Sequence, residues 1–261
     1  MKRFTKILKE SYLALILFFL YAPIGIMIVM SFNAGKSRAN FTGFSLKHYK
    51  EMFAEEMMLD ALKNTLIIAL FASVVATIIG TYAAFFIAKM SPFMKSSTVK
   101  ILNIPMLNAE IVTGISLMLF FVFASIPLGF FSLLIAHTVF NVPYVTMSVL
   151  PKIRQLNKST YEAALDLGAS PLLAFRKVVL PEVMPGILSG ALLAFTLSLD
   201  DFIISYFTSG SDFMTLSVYI NSITKKSIPL SVNALSTIMF VVVFILLLIT
   251  NLKKPAKRKE Q

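Results

Sequence analysis

Long apolar runs separated by short polar segments make up most of this chain of 261 residues. Six runs are about twenty residues or longer, the length that an α-helix needs to cross the hydrocarbon core of a bilayer. The pattern predicts an all-α integral membrane protein with six transmembrane helices in a single domain covering residues 1–261. The predicted spans are residues 11–32, 61–88, 101–124, 130–150, 186–207 and 231–251.

A polar loop at residues 151–185 separates the fourth and fifth predicted spans. Two membrane helices can be joined by a short turn, so lipid does not explain the length of this loop. We therefore expect the polar loop to contact another protein.

The polar loop has signals for two short helices. Ser159-Thr160-Tyr161-Glu162 matches a capping box, in which the Ser159 hydroxyl and the Glu162 carboxylate each accept a backbone amide of the first turn. Gly168 is suited to end that helix because glycine adopts positive φ without strain. Ser170-Pro171 then predicts the start of a second, separate helix, since proline favours the first helical position.

The segment between the first two spans contains a helical repeat of apolar residues. Leu46, Tyr49, Phe53 and Met57 recur at helical spacing, which predicts an amphipathic helix lying at the membrane surface. We expect this helix to pack on the chain's own spans, and docking of a partner is the alternative.

Composition and charge agree with a membrane protein. Charged residues are 14% of the chain, whereas soluble domains carry about a quarter. Of the 24 Lys and Arg residues, 17 lie in the segments predicted to be cytoplasmic, namely 1–10, 89–100, 151–185 and 252–261. The net charge of +11 therefore follows the positive-inside rule, with both termini in the cytoplasm. This distribution argues against nucleic-acid binding.

Composition excludes one class of chemistry and argues against another. The chain has no cysteine, so it contains no disulfide, thiolate metal site or cysteine nucleophile. With only two histidines, a metal or nucleophile–base constellation for a membrane-embedded enzyme is also poorly supported. The first span is expected to be retained, because its apolar run is longer than a signal-peptide core.

Three acids fall inside predicted spans, where ionisable groups are costly and usually functional. From the helical rise of 1.5 Å per residue, Glu110 is expected roughly 14 Å into span three. Asp200 and Asp201 are expected in the outer half of span five, pointing about 100° apart. An excess of negative charge at these positions would suit a cationic substrate.

Structural roles for the same acids compete with this hypothesis. His137 in span four lies at a depth similar to that of the two aspartates, so one of them could pair with His137 or with Ser205. Glu110 could be satisfied by Asn103 or Asn141.

The polar loop resembles the EAA loop of ABC importer permeases, the membrane subunits that dock on cytoplasmic ATPases. The family pattern is Glu-Ala-Ala, three residues, Gly, nine residues, an aliphatic residue, any residue and Leu-Pro. Here it falls on Glu162, Ala163, Ala164, Gly168, Val178, Leu180 and Pro181 without a gap.

The resemblance implies a type I importer permease fold, with a cytoplasmic ATPase dimer coupled through these residues. It also implies a second permease subunit, an external substrate-binding protein and a location in the cell membrane. ATP and Mg would be bound by the partner, since this chain has no P-loop: the required first glycine before Gly35-Lys36-Ser37 falls on Met30. No cofactor is expected in the chain itself.

The segment at 195–202, which contains Asp200 and Asp201, is similar to the corresponding span of spermidine/putrescine permeases. That resemblance implies a polyamine substrate and a heterodimer of two different permeases. Together with the third acid inside the spans, it predicts a substrate path lined by Asp200, Asp201 and Glu110. The alternatives are an ABC permease for another solute and an ion-coupled secondary transporter. The latter would leave the EAA-like loop unexplained, and dependence of transport on an ATPase separates the two classes.

Overall fold

The computed structural model describes residues 2–35, 37, 40–211, 213–224 and 229–252, with side chains from residue 11 to 245 apart from Lys158. Lys36 and the basic segment at 253–261, which entered the predictions above, lie outside the described residues. Within these residues the chain is helical, with one isolated β-bridge between Asn33 and Phe44. The helices are α1 Lys2–Ser31, α2 Lys47–Ala54, α3 Glu56–Lys89, α4 Pro92–Leu107, α5 Glu110–Phe123, α6 Phe130–Arg154, α7 Lys158–Asp166, α8 Pro171–Ala174, a π-helical turn Phe175–Val179, α9 Leu180–Asp200, α10 Ile203–Thr208, α11 Leu216–Thr224 and α12 Leu230–Leu252.

Several described helices are long and apolar enough to cross a membrane. Four qualify as single helices, namely Ser11–Ser31, Glu56–Lys89, Phe130–Arg154 and Pro171–Asp200. The pair α4 and α5 qualifies only as a bent span, and α12 contributes a shorter apolar stretch at Leu230–Ile245. The all-α membrane class is confirmed, and the count of six spans stays a prediction.

The third span predicted at 101–124 is not one continuous helix. The chain bends by 100° between α4 and α5. Asn108 and Ala109 are extended, with ψ of 152° and 132°, so the helical hydrogen bonds stop and restart at Glu110. The depth of roughly 14 Å assigned to Glu110 therefore fails, because it assumed one unbroken helix.

The fifth span also differs from its predicted bounds of 186–207. Helix runs without interruption from Pro171 through the π-helical turn to Asp200 and then breaks. The second helix of the polar loop is therefore the first part of this long helix and not a separate element. In the π-helical turn the Leu180 amide bonds to the Phe175 carbonyl, and the turn precedes Pro181, which has no amide to donate.

The chain forms two compact units, the first comprising residues 1–59 and 223–261 and the second residues 60–222. In the first unit, α12 packs against α1 and α2. The buried Asn33 side chain bonds to the backbone of Ser37, Asn40 and Thr42 and so fixes the loop between α1 and α2.

Helix α2 packs within the chain, as expected, but through a different face. It buries His48 and Met52, while Leu46 and Phe53 of the predicted apolar stripe are 52% and 65% exposed. His48 is held by hydrogen bonds to Glu51 and to the Gly35 carbonyl. The polar contacts of an imidazole thus decide which face is buried, which the apolar spacing did not reveal.

The second unit is centred on α6, against which α9 packs closely. Small residues permit this approach, as in other membrane helix pairs. A Cβ added at Gly190 would meet the Val145 Cα at 3.2 Å, and one at Gly80 on α3 would meet the Val145 side chain at 2.8 Å. Ser148 on α6 donates a hydrogen bond of 3.0 Å to the Gly186 carbonyl.

Candidate functional site

The break after α9 separates two adjacent carboxylates. Asp200 is the last residue of α9, and Asp201 is extended, with φ −60° and ψ 127°. The Asp201 carboxylate turns back to accept the amides of Ile204 at 3.2 Å and Ser205 at 2.7 Å, the first free donors of α10. A carboxylate at this position satisfies these amides and opposes the positive end of the helix dipole. Asp201 therefore starts α10.

Asp201 is also joined to α6 by His137. The imidazole Nε2 lies 3.4 Å from the Asp201 Oδ2 and 3.1 Å from the Ser205 Oγ. The side chains of His137 and Asp201 are only 1% and 3% exposed. The pairing that competed with a substrate role is thus present, and it belongs to Asp201.

Asp200 has the opposite environment. Its side chain is exposed, and no cation forms an ion pair with it within the described part of the chain. The two aspartates differ in environment because α9 ends between them, so the 100° step predicted for neighbours on one continuous helix does not apply. Asp201 is bound within the fold, whereas Asp200 is available to a ligand or a neighbouring subunit.

Glu110 is exposed at the start of α5, where its carboxylate lies in the favourable field of the helix N-terminus. Among the described residues, no hydrogen bond joins Glu110 to Asn103 or Asn141, the two partners predicted above. The Asn141 amide donates instead to Ser198 at 2.7 Å.

Close packing of α5 on α10 links Glu110 to the break at Asp201. Gly114, one turn after Glu110, faces Phe207 and Ile203, and an added Cβ would meet the Phe207 ring at 3.1 Å. Two broken helices therefore meet here, and each has an exposed carboxylate at the break. Sequence reasoning found the acids but not the breaks that position them.

The polar loop contains a helix, a glycine turn and the start of a second helix. Helix α7 is capped by Asn157, whose side chain accepts the Ser159 amide at 3.0 Å. The capping box predicted at Ser159 is wrong, because the helix starts earlier and Asn157 already satisfies this amide. The predicted turn is confirmed, since Gly168 has φ +85°, and Ser170 caps the next helix by accepting the Leu173 amide.

The residues matched to the EAA pattern are distributed over this helix–turn–helix. Glu162 and Ala163 are exposed on α7 and Ala164 is half-buried, while Leu180 and Pro181 lie at the start of α9. The structure also exposes an apolar group that sequence reasoning missed. Leu167 is 89% exposed, and its signal was a large apolar residue directly before the glycine turn.

Comparison with known proteins identifies the family. Residues 2–255 match the family described as binding-protein-dependent transport system inner membrane component. The chain belongs to this family. It is accordingly an inner-membrane permease subunit of an ABC importer, a transport component and not an enzyme. Membership implies that it works with an ATPase, a second permease and a substrate-binding protein.

Relatives and solved structures agree with this assignment. The permease is 36% identical over 245 residues to the spermidine/putrescine transport system permease protein PotC of Haemophilus influenzae, covering 94% of this chain and 95% of the relative. It is 36% identical over 228 residues to the putrescine transport system permease protein PotI of Escherichia coli, covering 85% and 81%.

The fold itself is that of importer permeases. A bacterial ABC transporter that imports the acidic polysaccharide alginate superimposes with a TM-score of 0.74 at 16% identity, covering 97% of both chains. A structure of a bacterial alginate ABC transporter in complex with a pentasaccharide-bound periplasmic protein gives 0.67 at 17% identity, covering 96% and 94%. At this identity the likeness concerns the fold alone.

Proposed function

We propose that this permease imports polyamines such as spermidine and putrescine, with Asp200 and Glu110 on the substrate path. The observation that carries the proposal is the contrast between two neighbouring carboxylates. Asp201 is committed to His137 and to the first turn of α10, whereas Asp200 is exposed without a cationic partner among the described residues.

The chemistry of polyamines fits these carboxylates. A carboxylate in a region of low dielectric is costly unless a positive charge compensates it. Polyamines are flexible chains with several positive charges, so acids on two separate helices suit them better than one anionic site. Asp201 helps indirectly, because it holds the break at which Asp200 ends α9.

The relatives support the same substrate class. Those compared above are named as spermidine/putrescine and putrescine permeases, at 36% identity over most of this chain. We infer that the permease pairs with a second, different permease and that the path lies between the two subunits. Exposure of Asp200 and Glu110 on the isolated chain supports this arrangement.

Coupling to ATP hydrolysis is proposed for the polar loop. We infer that a cytoplasmic ATPase dimer receives the turn formed by Glu162, Ala163, Ala164 and Gly168, and that Leu180 and Pro181 connect it to α9. The continuous helix from Pro171 to Asp200 supports this role, because it joins the loop directly to the break beside Asp200. An external binding protein would deliver substrate from the other side, with both termini in the cytoplasm.

The test is uptake of labelled spermidine and putrescine by proteoliposomes that contain the complete transporter. We expect ATP-dependent uptake that falls roughly tenfold or more in Asp200→Asn and Glu110→Gln, because each loses a charge-assisted contact. Asp60→Asn makes the same charge change at an exposed position outside the proposed path and should retain uptake.

Other outcomes would contradict the proposal. If a binding protein stimulates ATP hydrolysis but no polyamine is taken up, the proposed polyamine substrate is wrong and the permease assignment stands. Uptake that persists without ATP hydrolysis would favour the ion-coupled alternative. Equal uptake by wild type, Asp200→Asn and Glu110→Gln would remove both acids from the path.

A further inference from the structure

Two cavities adjoin the polar loop within the second unit. The larger, of about 760 Å³, is lined by Lys89, Lys95 and Arg154 together with two carboxylates, Glu162 and Glu182. These basic residues come from the end of α3, the start of α4 and the last turn of α6. The larger cavity therefore contains both signs of charge.

The smaller cavity, of about 600 Å³, is different in charge. It is lined by three cations, Lys95, Lys100 and Arg154, with the Ser96 hydroxyl and without an acidic residue. None of the three cations makes an ion pair within the described part of the chain. Like charges grouped in this way repel one another, so an anion that enters the cavity is stabilised. A phosphate group suits lysine, arginine and hydroxyl donors together.

An apolar surface lies beside these cations. Helix α4 has no buried residue, and Phe93, Ile104 and Leu107 are 83%, 52% and 85% exposed. Their spacing from Lys100 puts all four residues on one side of the helix. A ligand with an anionic head and an apolar tail would meet both surfaces at once.

We propose that the smaller cavity binds the phosphate headgroup of an anionic phospholipid, with the acyl chains along the exposed side of α4. The segments that supply the cations, 89–100 and 151–185, are both predicted to be cytoplasmic, so the lipid belongs to the inner leaflet. Basic pockets at the cytoplasmic ends of membrane helices bind such headgroups. The proposal rests on this predicted topology but not on the substrate of the transporter.

Binding is tested on the complete transporter in phosphatidylcholine nanodiscs titrated with fluorescent phosphatidylglycerol. Each charge near the surface strengthens attraction to anionic lipid, so Lys95→Gln/Arg154→Gln should bind about 30-fold more weakly. The matched control is Arg176→Gln/Lys177→Gln, which removes two exposed cations of the polar loop that line neither cavity. Equal loss of lipid in both doubles would overturn the site, since it would show general surface attraction.

Further variants separate loss of the site from failure to assemble, and a competition experiment identifies the source of the phosphate. Lys95→Arg/Arg154→Lys keeps both charges and should bind as wild type. The single variant Lys100→Gln, at an exposed position, should weaken binding even if the first double fails to assemble. Glycerol phosphate should not displace the lipid at equal concentration. Full displacement would assign the cavity to a soluble phosphate compound and refute the lipid proposal.

Discussion

The imidazole Nε2 of His137 lies 3.4 Å from the carboxylate Oδ2 of Asp201. This contact joins the first half of α6 to the point where α9 ends and α10 begins. Because the same carboxylate accepts two amides of α10, it both starts a helix and holds it to a neighbour. The position of the adjacent, exposed Asp200 depends on this arrangement.

The two aspartates should therefore differ in their effect on stability. We expect Asp201→Ala to lower the free energy of unfolding by about 3–5 kcal/mol, since it leaves two helix amides unpaired and removes the carboxylate beside His137 in a buried site. Asp200→Ala should change it by less than about 0.5 kcal/mol, as for most exposed positions. Denaturant unfolding of the purified permease complex measures both. Equal destabilisation would show that Asp200 is also part of the structural network.

Gly168 is predicted to matter for coupling through its backbone. Its φ of +85° is unfavourable for a residue with a Cβ, although an added Cβ would meet nothing within 4 Å. Gly168→Ala should therefore cost about 1–2 kcal/mol locally and shift the turn, lowering ATP-driven uptake. Gly25→Ala also meets nothing within 4 Å and has no positive φ, so it should leave uptake unchanged. If Gly168→Ala shows normal ATP-driven uptake, coupling does not require this turn geometry.

Leu167 offers a test of the docking surface. The side chain is 89% exposed, so Leu167→Ser should not destabilise the isolated permease. If the Leu167 side chain enters a groove on the ATPase, Leu167→Ser should weaken the free energy of binding to the ATPase by about 1.5–3 kcal/mol. This is the contribution of burying one leucine side chain. Co-purification at graded salt and a binding titration measure this. Leu46→Ser, at a residue 52% exposed in the first unit, is the control. Unchanged binding in Leu167→Ser would place Leu167 outside the docking surface.

Gly190 is predicted to be needed for the contact between α6 and α9. A Cβ at this position would meet the Val145 Cα at 3.2 Å, which is backbone and cannot move aside as a side chain can. Gly190→Ala should destabilise the permease by about 1–3 kcal/mol, the usual effect of overpacking. Thermal unfolding, compared with Gly25→Ala, tests the direction. A Gly190→Ala variant that is more stable than wild type would show that α6 and α9 can move apart to admit the methyl group without loss of stability.

The local signals of the polar loop show how far sequence reasoning extends. The glycine turn at Gly168 and the Ser170 cap were predictable, because each depends on the conformational preference of one or two residues. The capping box at Ser159 was not realised, since Asn157 offers an equally good cap two residues earlier and local signals do not choose between them. The coupling role of this loop remains a proposal.

The sequence by itself determined the membrane class, the helical content and the family, because these depend on the length of apolar runs and on the spacing of the EAA-like pattern. It also identified Glu110, Asp200 and Asp201 as unusual. Only the tertiary structure decided that α4 and α5 bend by 100° and that Asp201, not Asp200, pairs with His137. The physical reason is that a helix break and a buried carboxylate–imidazole contact depend on which groups distant segments bring together, and periodicity along the chain contains no such information.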